Sequence, residues 1–129
     1  CLVQCQYLAP CAVSNAWRNE VTRSIDLVQH CTTMEDVRRN VNALDDVLVP
    51  LLVTRIGYMQ QAARIKGDVG QVRDEARIEA IVSRVRERTA QEGGQPDVME
   101  TVYRALMEAC IAYEHQEFAR LREPKKSGE

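Results

Sequence analysis

The pattern of hydrophobic and polar positions is clearest between Thr33 and Lys66. Apolar or small residues recur there at helical intervals: Met34, Val37, Val41, Leu44, Leu48, Leu51, Tyr58, Ala62 and Ile65. These intervals place them on one face of an α-helix. Two threonines and two acidic residues over 32–36 form a helix-start signal. The pattern therefore predicts a helix over about 33–66, which Pro50 bends but does not end, because the same face continues beyond it.

One position in this apolar series carries a charge, at Arg55. A guanidinium that is buried without a partner loses several kcal/mol of hydration, so arginine is rare on such a face. The sequence therefore predicts that an anion or a carboxylate meets Arg55. A buried acid of a second chain, such as Asp46, is the simpler structural alternative.

Two shorter helices are predicted after the first. Gly67, Gly70 and the polar residues between them interrupt the first helix and leave Lys66 beside a loop. A second helix is predicted over about 74–90 with Asp74 as its cap. A third is predicted over about 97–121 with Asp97 as its cap. Together they predict an all-α fold.

The length of the first helix has a consequence for assembly. Thirty-odd residues at about 1.5 Å per residue make a rod of about 48 Å. A compact chain of this size has a radius of gyration of only about 14 Å. The rod therefore extends beyond its own domain, and we expect it to pack against a second chain.

Composition and charge exclude several classes of protein. The chain has 129 residues, 45% of them hydrophobic and 28% charged, which fits one globular domain. A formal net charge of -2 gives no overall positive field for nucleic acid or an anionic membrane. No apolar run approaches the roughly 18 residues of a membrane span. The five cysteines form neither a disulfide framework nor a paired metal motif, so we expect a reducing, cytoplasmic location and no metal site.

The ends of the chain are the hardest to interpret. Residues 1–30 show no secretory signal pattern, and we expect an N-terminal arm that is partly disordered, with a short helix near 24–28. Residues 123–129 are expected to form a disordered tail. The helical domain then covers 31–122.

A family resemblance rests on groups of residues that follow one another in order. They are Arg38, Val41, Asn42, Leu44 and Asp45; Leu51, Leu52 and Arg55; Ala62 and Lys66; Val72, Arg73, Asp74 and Arg77; and Tyr103, Leu106, Met107 and Glu114. In this order and spacing, the chain from Cys31 to about Leu121 resembles the all-helical chorismate mutase family, including its isochorismate pyruvate-lyase relatives that make salicylate. The resemblance implies a three-helix protomer with a long kinked first helix, in an intertwined homodimer with two shared sites.

The resemblance also implies a chemistry. The family's reactions are pericyclic and need no nucleophile, metal or cofactor; they depend on holding the reactive conformer and stabilising charge on an ether oxygen. Arg55 and Arg77 would hold the substrate carboxylates, with Arg38 contributed by the partner subunit. Lys66 would reach the ether oxygen and a carboxylate.

The remaining site residues bear on which reaction is catalysed. Asp74 matches a position at which mutases contact the ring hydroxyl, and Glu114 stands at the ether-facing position, where many relatives have glutamine. As a carboxylic acid, Glu114 donates a hydrogen bond only when protonated, which burial favours and nearby Lys66 opposes. Ile78 stands where mutases usually have glutamate, and the lyase branch is apolar there. We expect a chorismate mutase that forms prephenate by Claisen rearrangement, with an isochorismate pyruvate-lyase giving salicylate and pyruvate as the alternative.

Simpler interpretations of the same residues stay open. Arg38 would ordinarily lie on a solvated helix face, and Lys66 could interact with the dipole of its own helix. Arg77 could pair with Asp74 within a helix, and Glu114 with a structural arginine. If these hold, the chain is a non-catalytic helical dimer that serves as a binding module or scaffold.

Overall fold

The fold is all-α. A computed structural model describes residues 23–124, in which α1 spans Met34–Ile65, α2 spans Glu75–Gln91 and α3 spans Pro96–Arg122. Single 3-10 turns lie at Ser24–Leu27 and Val69–Gln71. Within 23–124 there is no strand, and no helix is long and apolar enough to cross a membrane. The predictions made for residues 1–22 and 125–129 concern residues outside this range.

The first helix begins at the predicted cap and runs through its proline. Thr33 Oγ1 accepts a hydrogen bond from the Asp36 amide at 3.1 Å. In return, the Asp36 carboxylate accepts from the amide and the hydroxyl of Thr32 at 3.4 and 3.3 Å. Pro50 lies inside α1, where it cannot donate an amide hydrogen to the carbonyl of Asp46. The helix nevertheless continues, as predicted from the apolar face that resumes beyond the proline.

The starts of the other two helices differ in kind. Asp74 caps α2, as predicted, by accepting from the Arg77 amide at 3.0 Å. The prediction that Asp97 caps α3 was wrong, because the helix already begins at Pro96. Proline has the backbone φ angle of a helix and no amide to satisfy, so it forms the first helical residue without a side-chain cap. Asp97 lies in the first turn instead, 2.9 Å from Arg86.

The third helix is the centre of the fold, since it packs against both α1 and α2. Its Met107 joins Ile78 and Val82 of α2 in a small core. The partly buried Ile81, Tyr103 and Ile111 pack around this core. Ion pairs run along the α2–α3 side of the bundle, including Glu79–Arg104 at 3.1 Å and Arg86–Glu100 at 2.8 Å.

The N-terminal half of α1 extends away from this core. Between 34 and 51 every side chain except the half-buried Asp36 is exposed. The exposed residues include members of the apolar series, such as Leu44 at 67% and Leu51 at 63% exposure. A single chain therefore leaves a long apolar helix face in contact with water.

A short N-terminal segment packs onto the turn between α2 and α3. The Ser24 amide and hydroxyl donate to the Glu92 carboxylate at 2.9 and 2.7 Å, and the Ile25 amide donates to the Glu92 carbonyl at 3.1 Å. Gly93 lies beneath this segment with a φ of 78°. A Cβ atom there would lie 2.5 Å from Ile25 Cγ2, so both the backbone angle and the contact require glycine.

Candidate active site

A cavity of about 330 Å³ lies between the C-terminal half of α1, the loop that follows it, the start of α2 and the middle of α3. Its polar and charged lining consists of Arg55, Lys66, Gln71, Asp74, Arg77 and Glu114. Its apolar lining includes Met59, Ala62, Val72, Ile78, Ile81, Met107 and Ile111. Six of the seven site residues predicted from the sequence thus line one cavity, and Arg38 is the exception.

Local structure explains why these side chains meet. Arg55 and Lys66 are eleven residues apart, about three helical turns, so they project from nearly the same side of α1. Asp74 is fixed by its role as the cap of α2, which brings Arg77 and Ile78 of the first turn to the cavity.

The most buried charged group of the cavity is Glu114, whose side chain is only 4% exposed. Lys66 Nζ lies 2.6 Å from its Oε1 atom. The angles of this contact are not those of a hydrogen bond. The lysine charge therefore lies next to Oε1, but no N–H group is aligned to donate to it. Glu114 thus pairs with the lysine, not with the structural arginine that was the alternative.

Lys66 also stabilises the cavity wall. Its ammonium donates to the Val72 carbonyl at 3.3 Å, which closes the loop between α1 and α2. An ammonium has three N–H donors. The Val72 carbonyl accepts from one of them, and the contact with Glu114 is not a hydrogen bond, so at least one donor remains for a ligand in the cavity.

Arg55 is half-buried, and its neighbours are not acidic. Its Nη1 atom lies 3.4 Å from Cys110 Sγ, and its guanidinium carbon lies 5.7 Å from the centre of the Tyr103 ring. No carboxylate of residues 23–124 lies within 4.0 Å of this guanidinium. A guanidinium held in this way can bind an anion that enters the cavity.

Arg77 is likewise available on the cavity wall. Its backbone amide, not its guanidinium, contacts Asp74. Among the described residues, no carboxylate lies within salt-bridge distance of this guanidinium. The ion pair between Arg77 and Asp74 that was considered as an alternative is therefore not formed. The Asp74 carboxylate accepts the helix-capping bond on Oδ1 and lines the cavity as well.

Arg38 lies elsewhere, on the exposed half of α1. It borders a separate surface depression together with Glu35, Asn42 and Asp46. It is 17 residues before Arg55 on the same continuous helix, about 25 Å along its axis. Arg38 therefore cannot reach the cavity of its own chain.

Sequence reasoning missed two residues of the cavity. Cys110 is buried and its thiol contacts the Arg55 guanidinium. Its position four residues before Glu114, on the same helix face, was the signal for it. Gln71 also lines the cavity, and its side chain accepts from the Gly67 amide at 3.1 Å. No local pattern points to Gln71, because its place depends on how the loop folds.

The cavity is suited to an anion. A single chain contributes three cations and two carboxylates to its lining, so one positive charge is in excess. The apolar walls lower the local dielectric and strengthen each charge interaction. Residues 23–124 contain no group of three or more acidic, cysteine or histidine side chains that could hold a metal ion.

Comparison with protein families agrees with this geometry. The family model described as chorismate mutase type II matches residues 37–115. The chain belongs to this family. Comparisons with curated proteins and with solved structures found no match. The matched range includes all seven predicted site residues, and membership confirms both the resemblance and the all-helical fold. Membership in the chorismate mutase type II family also implies a small-molecule substrate.

Proposed function

We propose that the protein is a chorismate mutase that converts chorismate to prephenate. The observation that supports this most directly is the set of cations in one cavity: Arg55, Lys66 and Arg77 line it together, and neither arginine has a carboxylate partner within residues 23–124. Chorismate carries two carboxylates and a bridging enol ether. The cavity offers guanidinium groups for the carboxylates and an ammonium for the ether oxygen.

The reaction requires no covalent participation by the protein. In the rearrangement the ether C–O bond breaks while a new C–C bond forms, and negative charge develops on the ether oxygen. Arg55 and Arg77 hold the two carboxylates as bidentate partners, which selects the folded conformer that reacts. A donor of the Lys66 ammonium that is not used by the protein hydrogen-bonds to the ether oxygen and stabilises this charge. Removing one such donor typically costs about 10²–10³-fold in rate.

The two acids have distinct roles in this proposal. Glu114 holds the Lys66 ammonium in place in the free protein, through the 2.6 Å ion pair. Asp74 accepts a hydrogen bond from the ring hydroxyl with the carboxylate oxygen that does not cap α2.

We propose further that the active form is a homodimer in which Arg38 of a second copy completes each site. Charge supports this, since a fourth cation would raise the excess positive charge to two, the charge of two substrate carboxylates. Exposure supports it too, because the half of α1 that carries Arg38 leaves its apolar face unburied in one chain. Burying one leucine of that face contributes about 1.5–3 kcal/mol.

Mixing two inactive variants tests the shared site. Arg38→Ala and Arg55→Ala each remove one half of every site. After subunit exchange, half of the dimers are mixed, and each mixed dimer has one intact site, so about one quarter of the parent activity returns. If Arg38 acts within its own chain, mixing restores nothing.

Turnover on two substrates tests the reaction itself. The purified protein is assayed in parallel on chorismate, following prephenate, and on isochorismate, following salicylate and pyruvate. Prephenate alone supports the mutase. Salicylate with pyruvate supports the second candidate, an isochorismate pyruvate-lyase, which is favoured by one observation: buried Ile78 stands next to Arg77 and gives the cavity an apolar wall there. If neither substrate gives a product, both the mutase and the lyase are contradicted, and a non-catalytic helical dimer is supported.

A further inference from the structure

We propose that Arg122, the last residue of α3, is a positioning residue that holds Lys66 in place for the reaction. The proposal rests on the proposed function, in which the Lys66 ammonium contacts the substrate. Arg122 does not line the cavity and lies outside the residues matched by the family model. Its contacts nevertheless converge on the backbone that carries Lys66.

The guanidinium of Arg122 bridges two helices. Its Nη1 atom donates to the Ala63 carbonyl at 3.0 Å, and its Nη2 atom donates to the carbonyl of Lys66 itself. The guanidinium also lies over the ring of Phe118, 3.5 Å from the ring centre. The planar group is thus held on one face by an aromatic ring while its two nitrogens reach different carbonyls, an arrangement that lysine cannot reproduce.

The end of α1 needs such a partner. The last four carbonyls of a helix have no amide within the helix to bond with. Lys66 has left the helical conformation, with φ of -65° and ψ of 134°, and its own carbonyl starts the loop. Arg122 donates charge-assisted hydrogen bonds to the Ala63 carbonyl, inside the helix, and to the Lys66 carbonyl, just after it. These bonds fix the backbone of Lys66, whose side chain extends into the cavity.

The same helix also carries the partner of Lys66. Glu114, Phe118 and Arg122 follow one another at four-residue intervals along α3. Glu114 holds the lysine by its ammonium at 2.6 Å, and Arg122 holds it by its backbone carbonyl. Lys66 is therefore held to α3 both by its side chain and by its backbone. Loss of the Arg122 contact frees the backbone, while the contact of the side chain with Glu114 remains.

The first test compares Arg122→Gln with Arg64→Gln. Arg64 provides a matched control because it lies two residues from Lys66, is exposed and donates its side-chain hydrogen bonds to Gln61 on its own helix. We expect Arg122→Gln to lower kcat about tenfold with a smaller change in KM, since displacement of a positioned donor mainly affects the transition state. Arg64→Gln should stay within about twofold of the parent protein in both parameters. An Arg122→Lys variant should recover only part of the loss.

A second readout does not depend on activity. The chain has three lysines, Lys66, Lys125 and Lys126, so acylation by a limiting amount of acetic anhydride can be followed at Lys66 by mass spectrometry. Lys66 should react at least about threefold faster in Arg122→Gln than in the parent or in Arg64→Gln, since its ion pair would be less well held. Thermal melting of each variant shows whether it is folded at the assay temperature.

The outcomes separate the two proposals. If folded Arg122→Gln keeps the kcat of the parent protein, or if its Lys66 reacts no faster, Arg122 only stabilises the fold and the positioning proposal is wrong. If the parent protein turns over neither chorismate nor isochorismate, the proposed function fails, and the acylation comparison alone decides whether Arg122 holds Lys66.

Discussion

Lys66 at the end of α1 and Glu114 in the middle of α3 are joined by an ion pair of 2.6 Å inside the cavity. The carboxylate is almost wholly buried, whereas the lysine remains about one quarter exposed, at 26%. Loss of the lysine would leave the acid buried without a counter-charge, whereas loss of the acid would leave the lysine partly hydrated. This asymmetry gives a prediction for stability.

Removing Lys66 alone should destabilise the protein more than removing the pair. Lys66→Met leaves a buried carboxylate without charge compensation, and we expect a loss of about 2 kcal/mol in the free energy of unfolding at pH 7. Adding Glu114→Gln should recover most of this loss, because a neutral amide is less costly to bury. Denaturant unfolding of both single variants and the double variant checks this. Equal losses in Lys66→Met and in the double variant would contradict it.

Arg55 should be essential for turnover but not for folding. Its guanidinium has no carboxylate partner among the described residues, so Arg55→Ala removes no internal ion pair and should leave helicity and assembly unchanged. We expect kcat/KM to fall by at least about 10³-fold, because a buried bidentate contact to a substrate carboxylate is lost. Arg84→Ala, on an exposed position of α2 outside the cavity, is the control. Full activity of Arg55→Ala would refute the assigned site.

The exposed face of α1 should be where two chains meet. Leu44→Asp places a charge on that face, and we expect the dimer dissociation constant to rise at least about 100-fold, since a charge would have to be buried on assembly. Activity should fall with it, because each site would lose Arg38. Val98→Asp, at a similarly exposed apolar position of α3, should change neither. Analytical ultracentrifugation of the two variants, beside kinetic assays, measures both effects.

The contact of Ser24 with Glu92 should respond to acid. The hydrogen bond from the Ser24 side chain, followed by that from its amide, holds the pKa of Glu92 below the ordinary 4.5. A pKa that is lower in the folded state stabilises the contact above about pH 4.5, and the contribution disappears as pH falls through the lowered value. Protection of the Ile25 amide from hydrogen exchange should therefore decrease between pH 6 and pH 3.

Variants of Glu92 and of Glu87 test whether the Glu92 carboxylate causes the loss of Ile25 protection in acid. Glu92→Gln should show weak protection of the Ile25 amide that no longer depends on pH. Glu87→Gln, on an exposed position of α2, should behave as the parent protein does. Undiminished protection of Ile25 at pH 3 in the parent protein would show that the carboxylate does not hold this segment.

The features predicted best from the sequence are local in the chain. Helix periodicity and capping depend on residues within about four positions of each other, so α1 and its Thr33 cap could be recognised directly. The Asp97 cap failed for an equally local reason, because Pro96 itself starts the helix. The group of Arg55, Lys66, Asp74, Arg77, Ile78 and Glu114 came from the family resemblance, since nothing in helical spacing indicates that three helices will meet around one cavity.

The sequence by itself determined the helices and the charged residues set among apolar neighbours. The tertiary structure decided which of these charges meet: Lys66 with Glu114, Arg55 with the Cys110 thiol instead of an acid, and Arg122 with the end of α1. It also separated Arg38 from the cavity, because Arg38 and Arg55 lie 17 residues apart on one continuous helix, which holds them about 25 Å apart along its axis. The physical reason is that helix formation depends on near neighbours, whereas the angle and register at which helices pack depend on the whole set of side chains between them.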